Sequence, residues 1–113
     1  MDKYVLITGG TKGIGKAVAL CLAASGYDLI LTYSSDTHTA EETRRELLQN
    51  NDVDVRILKA DITNIKSISA IDAYLEEQSL ELFSVVFNAG LTCRESFEQV
   101  SYAAWEEVFF ANV

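Results

Sequence analysis

The chain has 113 residues, 49% of them hydrophobic, which is enough to bury one core and too little for two. With 17 acidic against 9 basic side chains the formal charge is -8, and the basic residues are scattered, which argues against nucleic acid or an anionic membrane surface as partner. No signal-like apolar region follows Met1-Asp2-Lys3, no stretch is long enough to span a bilayer, and Cys21 and Cys93 have neither metal-ligand nor redox-motif spacing, so a cytoplasmic, membrane-free protein with reduced thiols and no metal site is expected.

Strand and helix patterns alternate from end to end. Residues 5–8 read as a first strand, and Ile14, Ala17, Val18, Cys21 and Leu22 then recur at helical spacing until Gly26 stops the helix, an arrangement that puts Cys21 on the buried face. Residues 29–33 form a short apolar run suited to a buried second strand. Thr39-Ala40-Glu41-Glu42 matches a capping box and opens a charged surface helix reaching about Asn50. His38, the sole histidine, falls in the polar loop before it and reads as solvated. Residues 53–59 are the third strand. Ile65, Ile68, Ile71 and Leu75 mark the buried stripe of the next helix, and residues 83–87 are the fourth strand. Ser101 caps a last helix with Trp105, Val108, Phe109 and Asn112 facing inward, and Val113 lies inside it. Strands separated by helices imply parallel βαβ units with right-handed crossovers, hence an α/β fold with a doubly wound parallel sheet, the Rossmann fold, stopping after the fourth βα unit. There is no proline, repeat or linker, and only the stretch 89–100 is a long connection.

The chemistry begins where the first strand ends, at Thr8-Gly9-Gly10-Thr11-Lys12-Gly13-Ile14-Gly15. Glycines there let the chain turn sharply into a helix and bring backbone N–H groups close to an anion that the helix dipole already attracts. A mononucleotide P-loop needs a hydroxyl where Ala17 stands, and the common Gly-x-Gly-x-x-Gly fingerprint needs a third glycine where Val18 stands. What remains is Thr-Gly-x-x-x-Gly-x-Gly, with Gly9, Gly13 and Gly15 as its glycines and Thr11, Lys12 and Ile14 among the residues expected at the cofactor. A response-regulator-like or flavodoxin-like module has similar layering, but the former needs clustered acids where this chain has Thr8-Gly9-Gly10. At the second strand end, Tyr33 and Ser34 are neutral, and with Lys12 they favour the 2'-phosphate of NADP. NAD is the alternative if Asp36 folds back to the ribose.

This glycine spacing resembles the short-chain dehydrogenase/reductase family, of the type that includes 3-oxoacyl-acyl-carrier-protein reductases, and later strand ends extend the resemblance over essentially the whole chain. It implies that Asp61 and Ile62 meet the adenine ring and that Asn88-Ala89-Gly90 is the family's Asn-Ala-Gly signature, Ala89 and Gly90 letting the cofactor's ribose lie against backbone while Asn88 stabilises the strand end. It also implies that Asn112, seven residues beyond Trp105, is the asparagine that helps organise the active site. The implied activity is NAD(P)-dependent hydride transfer between nicotinamide and a small-molecule carbonyl or secondary alcohol. The sequence departs from the family in one respect: Tyr4, Tyr27, Tyr33, Tyr74 and Tyr102 are followed four residues on by Thr8, Leu31, Thr37, Gln78 and Glu106, so no Tyr-x-x-x-Lys exists, and no strand follows Asn112 to carry the catalytic serine. Residues 1–113 are therefore expected to be an incomplete dinucleotide-binding domain, the N-terminal half of a longer enzyme, inactive alone. Self-association through the fourth strand and Trp105, Phe109 and Phe110 is expected, giving a homo-oligomer. A non-catalytic dinucleotide sensor is the alternative, and residues 91–95 are the only local candidates for a substrate pocket.

Overall fold

The structure, a computed structural model, describes residues 4–61 and 64–88. The chain runs β1 (Tyr4–Ile7), α1 (Gly13–Ala24), β2 (Asp28–Tyr33), α2 (Thr37–Asn50), β3 (Val55–Lys59), α3 (Ile65–Glu77) and β4 (Leu82–Val86). All pairings are parallel and the strand order is β3-β2-β1-β4. After β2 and β3 are added outward on one side of β1, the fourth strand returns to its other side, so the order reverses between β1 and β4. That is the switch point at which an open α/β sheet leaves a crevice beyond its carboxyl ends.

Alternation along the strands divides the core into two layers. Val5, Ile7, Leu29, Leu31 and Val55 pack with Ala19 and Ala23 of α1 and Leu47 of α2 on one face. Tyr4, Leu6 and Ile30 face the other way, toward Ile71 and Leu75 of α3. Small residues on α1 allow it to lie close to the sheet, and its buried line is Gly15, Ala19 and Ala23, with Val18 and Leu22 half-buried beside it. The helix is thus rotated from the face expected from the largest apolar residues: Ile14, Ala17 and Cys21 are exposed. Close packing selects the smallest side chains for the contact line and turns the bulkier ones outward.

Further expectations are corrected. The second helix starts three residues earlier than the Thr39 capping box suggests, because Asp36 is its cap: the Asp36 carboxylate accepts from the Thr39 N–H at 3.1 Å and the Thr39 hydroxyl at 2.7 Å. His38 consequently lies in the first turn of α2, not in a loop, and pairs with Glu42 at 3.0 Å across one helical turn. That helix also has an inward line, Ala40, Thr43 and Leu47. On α3 only Ile71 and Leu75 reach the core, whereas Ile65 is 68% exposed and Ile68 is exposed too. The third strand begins at Val55 rather than residue 53.

On β4 the register with β1 shifts between Tyr4 and Val5, which pair with Leu82 and Ser84, leaving Phe83 as an extra residue. Phe83 is exposed but stacks obliquely on Tyr27, with ring centroids 5.5 Å apart. Phe87, read from the sequence as part of the strand, lies beyond it and is 86% exposed. Both α1 and α3 end in the same way: Tyr27 donates to the Leu22 carbonyl beyond Gly26 (φ 90°), and Leu80 donates to the Leu75 carbonyl beyond Ser79 (φ 54°). Among the described residues no helix is long and apolar enough to cross a membrane.

Candidate dinucleotide site

The carboxyl end of β1 runs straight into the glycine loop, and the loop is fixed by bonds from three other elements. The Thr8 N–H donates to the Val86 carbonyl of β4 at 3.1 Å. Asn88, two residues further along the chain, donates from its own N–H to the Thr8 hydroxyl at 2.9 Å and from its side-chain amide to the Gly9 carbonyl at 3.1 Å. These bonds close the switch point between β1 and β4. From the other side, the Gly9 N–H donates to the Thr32 hydroxyl at the end of β2, 3.1 Å away. The Thr43 hydroxyl of α2 donates to the Thr11 carbonyl at 2.6 Å.

Gly9 and Gly13 have φ of 65° and 61°, the left-handed region that side chains other than glycine rarely adopt. A Cβ on Gly13 would meet no atom within 4 Å, so the chain is open there. At Gly15 the constraint is space: a Cβ would be driven into the Gly9 carbonyl and would lie 2.6 Å from the Asn88 amide nitrogen. Gly15 therefore lets the first turn of α1 sit directly on the loop.

The N-terminus of α1 has no side-chain cap: Lys12 is extended, makes no capping bond, and the first turn carries no acid. Helices normally satisfy their first N–H groups with an Asp, Ser or Thr. An uncapped N-terminus at the switch point, beside an exposed Lys12, presents backbone donors and a positive dipole end to an anion. These residues fit a dinucleotide pyrophosphate, since the cradle leaves open space at Gly13 where a side chain would fill it.

The remaining strand ends border the same edge of the sheet. Tyr33 is half-buried and its carbonyl accepts from Ala60 N–H at 2.9 Å, while Ser34 is exposed. Asp36 engages both carboxylate oxygens in capping α2. The hydrogen bonds from Thr39, helped by the charges of Lys12 and His38, hold its carboxyl below the usual range. Asp61 is exposed at the end of β3, its carbonyl accepting from Asn64 N–H at 3.0 Å. Thr11 is buried in the loop's floor, and Ile14, 77% exposed, stands on its rim. The structure thus gathers Gly9, Thr11, Lys12, Gly13, Ile14, Gly15 and Asn88 around one junction, with Tyr33, Ser34 and Asp61 at the neighbouring strand ends. Ile62, Ala89, Gly90 and Asn112 lie outside the described residues, as do Cys93, residues 91–95 and the last helix.

Sequence reasoning passed over Thr32 and Thr43. Thr32 was visible only as a neutral strand end. Thr43 carried a signal in its spacing, three after Ala40 and four before Leu47, the buried line of an otherwise charged helix.

A parallel β3-β2-β1-β4 sheet with a glycine loop and an uncapped helix at its switch point defines an α/β protein of the Rossmann type. The model of the short chain dehydrogenase family matches residues 3–113, and the chain belongs to that family of oxidoreductases. It is 34% identical over 117 residues to the 3-oxoacyl-[acyl-carrier-protein] reductase FabG of Aggregatibacter actinomycetemcomitans, covering 100% of this chain and 46% of the reductase. Among solved structures it is similar to an alcohol dehydrogenase from the archaeon Thermococcus sibiricus complexed with 5-hydroxy-NADP, with a TM-score of 0.90 and 31% identity over 100% of this chain and 48% of the other. It is also similar to a short-chain dehydrogenase from Sphingobium yanoikuyae in complex with NADPH, with a TM-score of 0.86 and 28% identity over 97% of this chain and 42% of the other. The chain spans less than half the length of each of these relatives.

Proposed function

We propose that the protein is an NADP(H)-dependent oxidoreductase interconverting a small-molecule carbonyl and a secondary alcohol in the cytoplasm, with 3-oxoacyl thioesters of a carrier protein the first substrates to test. The observation that carries this reading is the junction of Thr8, Gly9 and Asn88 beneath the uncapped start of α1, which fits a pyrophosphate at the switch point. In this reading the N–H groups of Gly13, Ile14 and Gly15 hold the pyrophosphate. Asp61 and Ile62 meet the adenine, Ala89 and Gly90 lie against the cofactor's ribose, Asn88 braces the strand end, and Asn112 helps organise the reacting centre. The bound nicotinamide supplies or accepts the hydride.

NADP is favoured over NAD because Tyr33 and Ser34 bring no charge to the β2 end while Lys12 brings a positive one, and Asp36 is engaged as the cap of α2. Both solved relatives named above carry NADP-type dinucleotides, which supports the same preference. Titration of each dinucleotide into the protein tests it: NADPH is expected to bind more tightly, and tighter NADH binding overturns the NADP assignment.

A second reading is a dinucleotide sensor without catalysis, which would share every cofactor residue named above. These 113 residues by themselves, without a Tyr-x-x-x-Lys segment, are expected to bind the dinucleotide weakly at best and turn nothing over. Nicotinamide absorbance followed with 3-oxoacyl thioesters, quinones and ketosteroids separates the readings, since tight cofactor binding with no carbonyl reduced by the intact protein supports the sensor. A homo-oligomer is expected through the β4 side, where Phe83 and Phe87 are exposed, and a monomer on sedimentation at micromolar concentration would contradict it.

A further inference from the structure

We infer that Thr43, together with Thr32, is a positioning residue for dinucleotide binding: two hydroxyls from the second βα unit hold the glycine loop in the shape that presents its backbone N–H groups. The inference rests on the dinucleotide reading above. Both side chains are 1% exposed, so neither hydroxyl has water as partner, and each meets the loop instead. A threonine inside a helix has a ready local acceptor in the carbonyl one turn back. Thr43 instead reaches the Thr11 carbonyl, 32 residues away in sequence, at 2.6 Å. Thr32 accepts the Gly9 N–H at 3.1 Å, and strand alternation puts it on the Ile30 face of the sheet, opposite the face on which α2 packs. The loop is therefore gripped from both sides of the sheet.

The consequence for binding follows from peptide geometry. No peptide bond among the described residues is cis, and in a trans peptide the C=O and the next N–H point in opposite directions. Drawing the Thr11 carbonyl toward α2 turns the Lys12 N–H away from α2, toward the mouth of the loop ahead of Gly13. Gly9 has both backbone groups engaged, its N–H by Thr32 and its C=O by Asn88. It serves as framework rather than as a phosphate donor. Losing the Thr43 hydroxyl frees the 11–12 peptide to rotate and strands a buried carbonyl.

Thr43→Val keeps the shape and removes the hydroxyl, Thr43→Ser keeps the hydroxyl, and Thr32→Val tests the second grip. Affinities are measured calorimetrically on the intact protein for NADPH and for 2'-AMP, which has the adenine, ribose and 2'-phosphate but no pyrophosphate. The expected result is NADPH binding weakened about tenfold by Thr43→Val and by Thr32→Val, 2'-AMP binding unchanged, and both affinities within about twofold of the original for Thr43→Ser. If Thr43→Val leaves NADPH affinity intact, or weakens NADPH and 2'-AMP alike, the positioning role is overturned while the dinucleotide reading stands. If the unaltered protein binds neither NADPH nor NADH, the dinucleotide reading itself fails and the inference fails with it.

Discussion

Asn88 shows how one residue can join two strand ends that are 80 residues apart in sequence. Its backbone N–H reaches the Thr8 hydroxyl and its amide reaches the Gly9 carbonyl, so the end of β4 is bonded to the start of the loop at both points. Asn88→Ala leaves the Gly9 carbonyl without that donor in a half-buried position and is expected to lower stability by about 1 to 2 kcal/mol, read from urea unfolding. Asn88→Asp is expected to be worse, because a carboxylate would face the Gly9 carbonyl oxygen. Gly15→Ala forces a Cβ against the same pair of groups. Its expected cost is about 1 to 3 kcal/mol, together with weaker dinucleotide binding, because the loop and the first turn of α1 must separate. Both residues were legible in the sequence, since a strand end and a glycine spacing are patterns with few alternative causes. For Thr43 the spacing with Ala40 and Leu47 marks an inward position, but that its hydroxyl meets the loop could not be read, because a buried threonine more often bonds within its own helix.

The same limit governs the elements. Strand and helix order could be read along the chain because apolar runs and helical spacing alternate cleanly, and parallel pairing followed from the crossovers. Which face of α1 is buried could not, because hydrophobicity ranks Ile14 and Cys21 above Gly15 and Ala19, whereas close packing on a sheet favours the small residues. Helix ends were legible only where a competing cap was absent. Asp36 precedes the Thr39 box by three residues and wins because its carboxylate reaches the Thr39 N–H. Asp36→Ala is expected to lower the melting temperature, with Asp36→Asn restoring most of it. Because the carboxyl is held below its usual range, that contribution is present above the ordinary carboxylate value and fades as pH falls through it. At the other end of the fold, Ser79 holds a left-handed conformation without being glycine. Ser79→Gly relieves that strain and is expected to raise stability by about 0.5 to 1 kcal/mol on chemical denaturation.

Over the whole molecule, the two ends of the sheet carry different chemistry. The carboxyl ends hold the open glycine loop, while the amino ends are laced by charge: the Tyr4 hydroxyl donates to Asp54, and Arg56 donates to Asp54 at 2.8 Å and to Tyr74 and Gln78 at 3.2 Å. The Asp28 carboxylate accepts the Asp54 N–H at 2.8 Å and so joins the start of β2 to the approach to β3. Burial, followed by the hydrogen bond and charge of Asp54, pushes the Tyr4 hydroxyl up to about 12. For Asp54 burial is the largest single influence and raises its carboxyl, but the hydrogen bonds from Tyr4 and Arg56 and the charges of Arg56 and Arg44 outweigh it and hold the carboxyl below its ordinary value. The stabilising effect of Asp54 is thus present above the ordinary carboxylate range and is lost on acidification. That of Tyr4 is fully present below the free tyrosine value of 10.0 and is lost as pH rises through about 12. Tyr4→Phe removes the hydroxyl and keeps the ring under the Arg56 guanidinium, so a loss of about 1 to 2 kcal/mol is expected at neutral pH. The gap between the two proteins should narrow as pH passes from 10 toward 12, and dinucleotide affinity at neutral pH should not change, because the substitution lies at the opposite end of the sheet. Urea midpoints at neutral and alkaline pH test this, and a gap that stays constant across the range would mean that the Tyr4 proton has no part in holding the amino ends together.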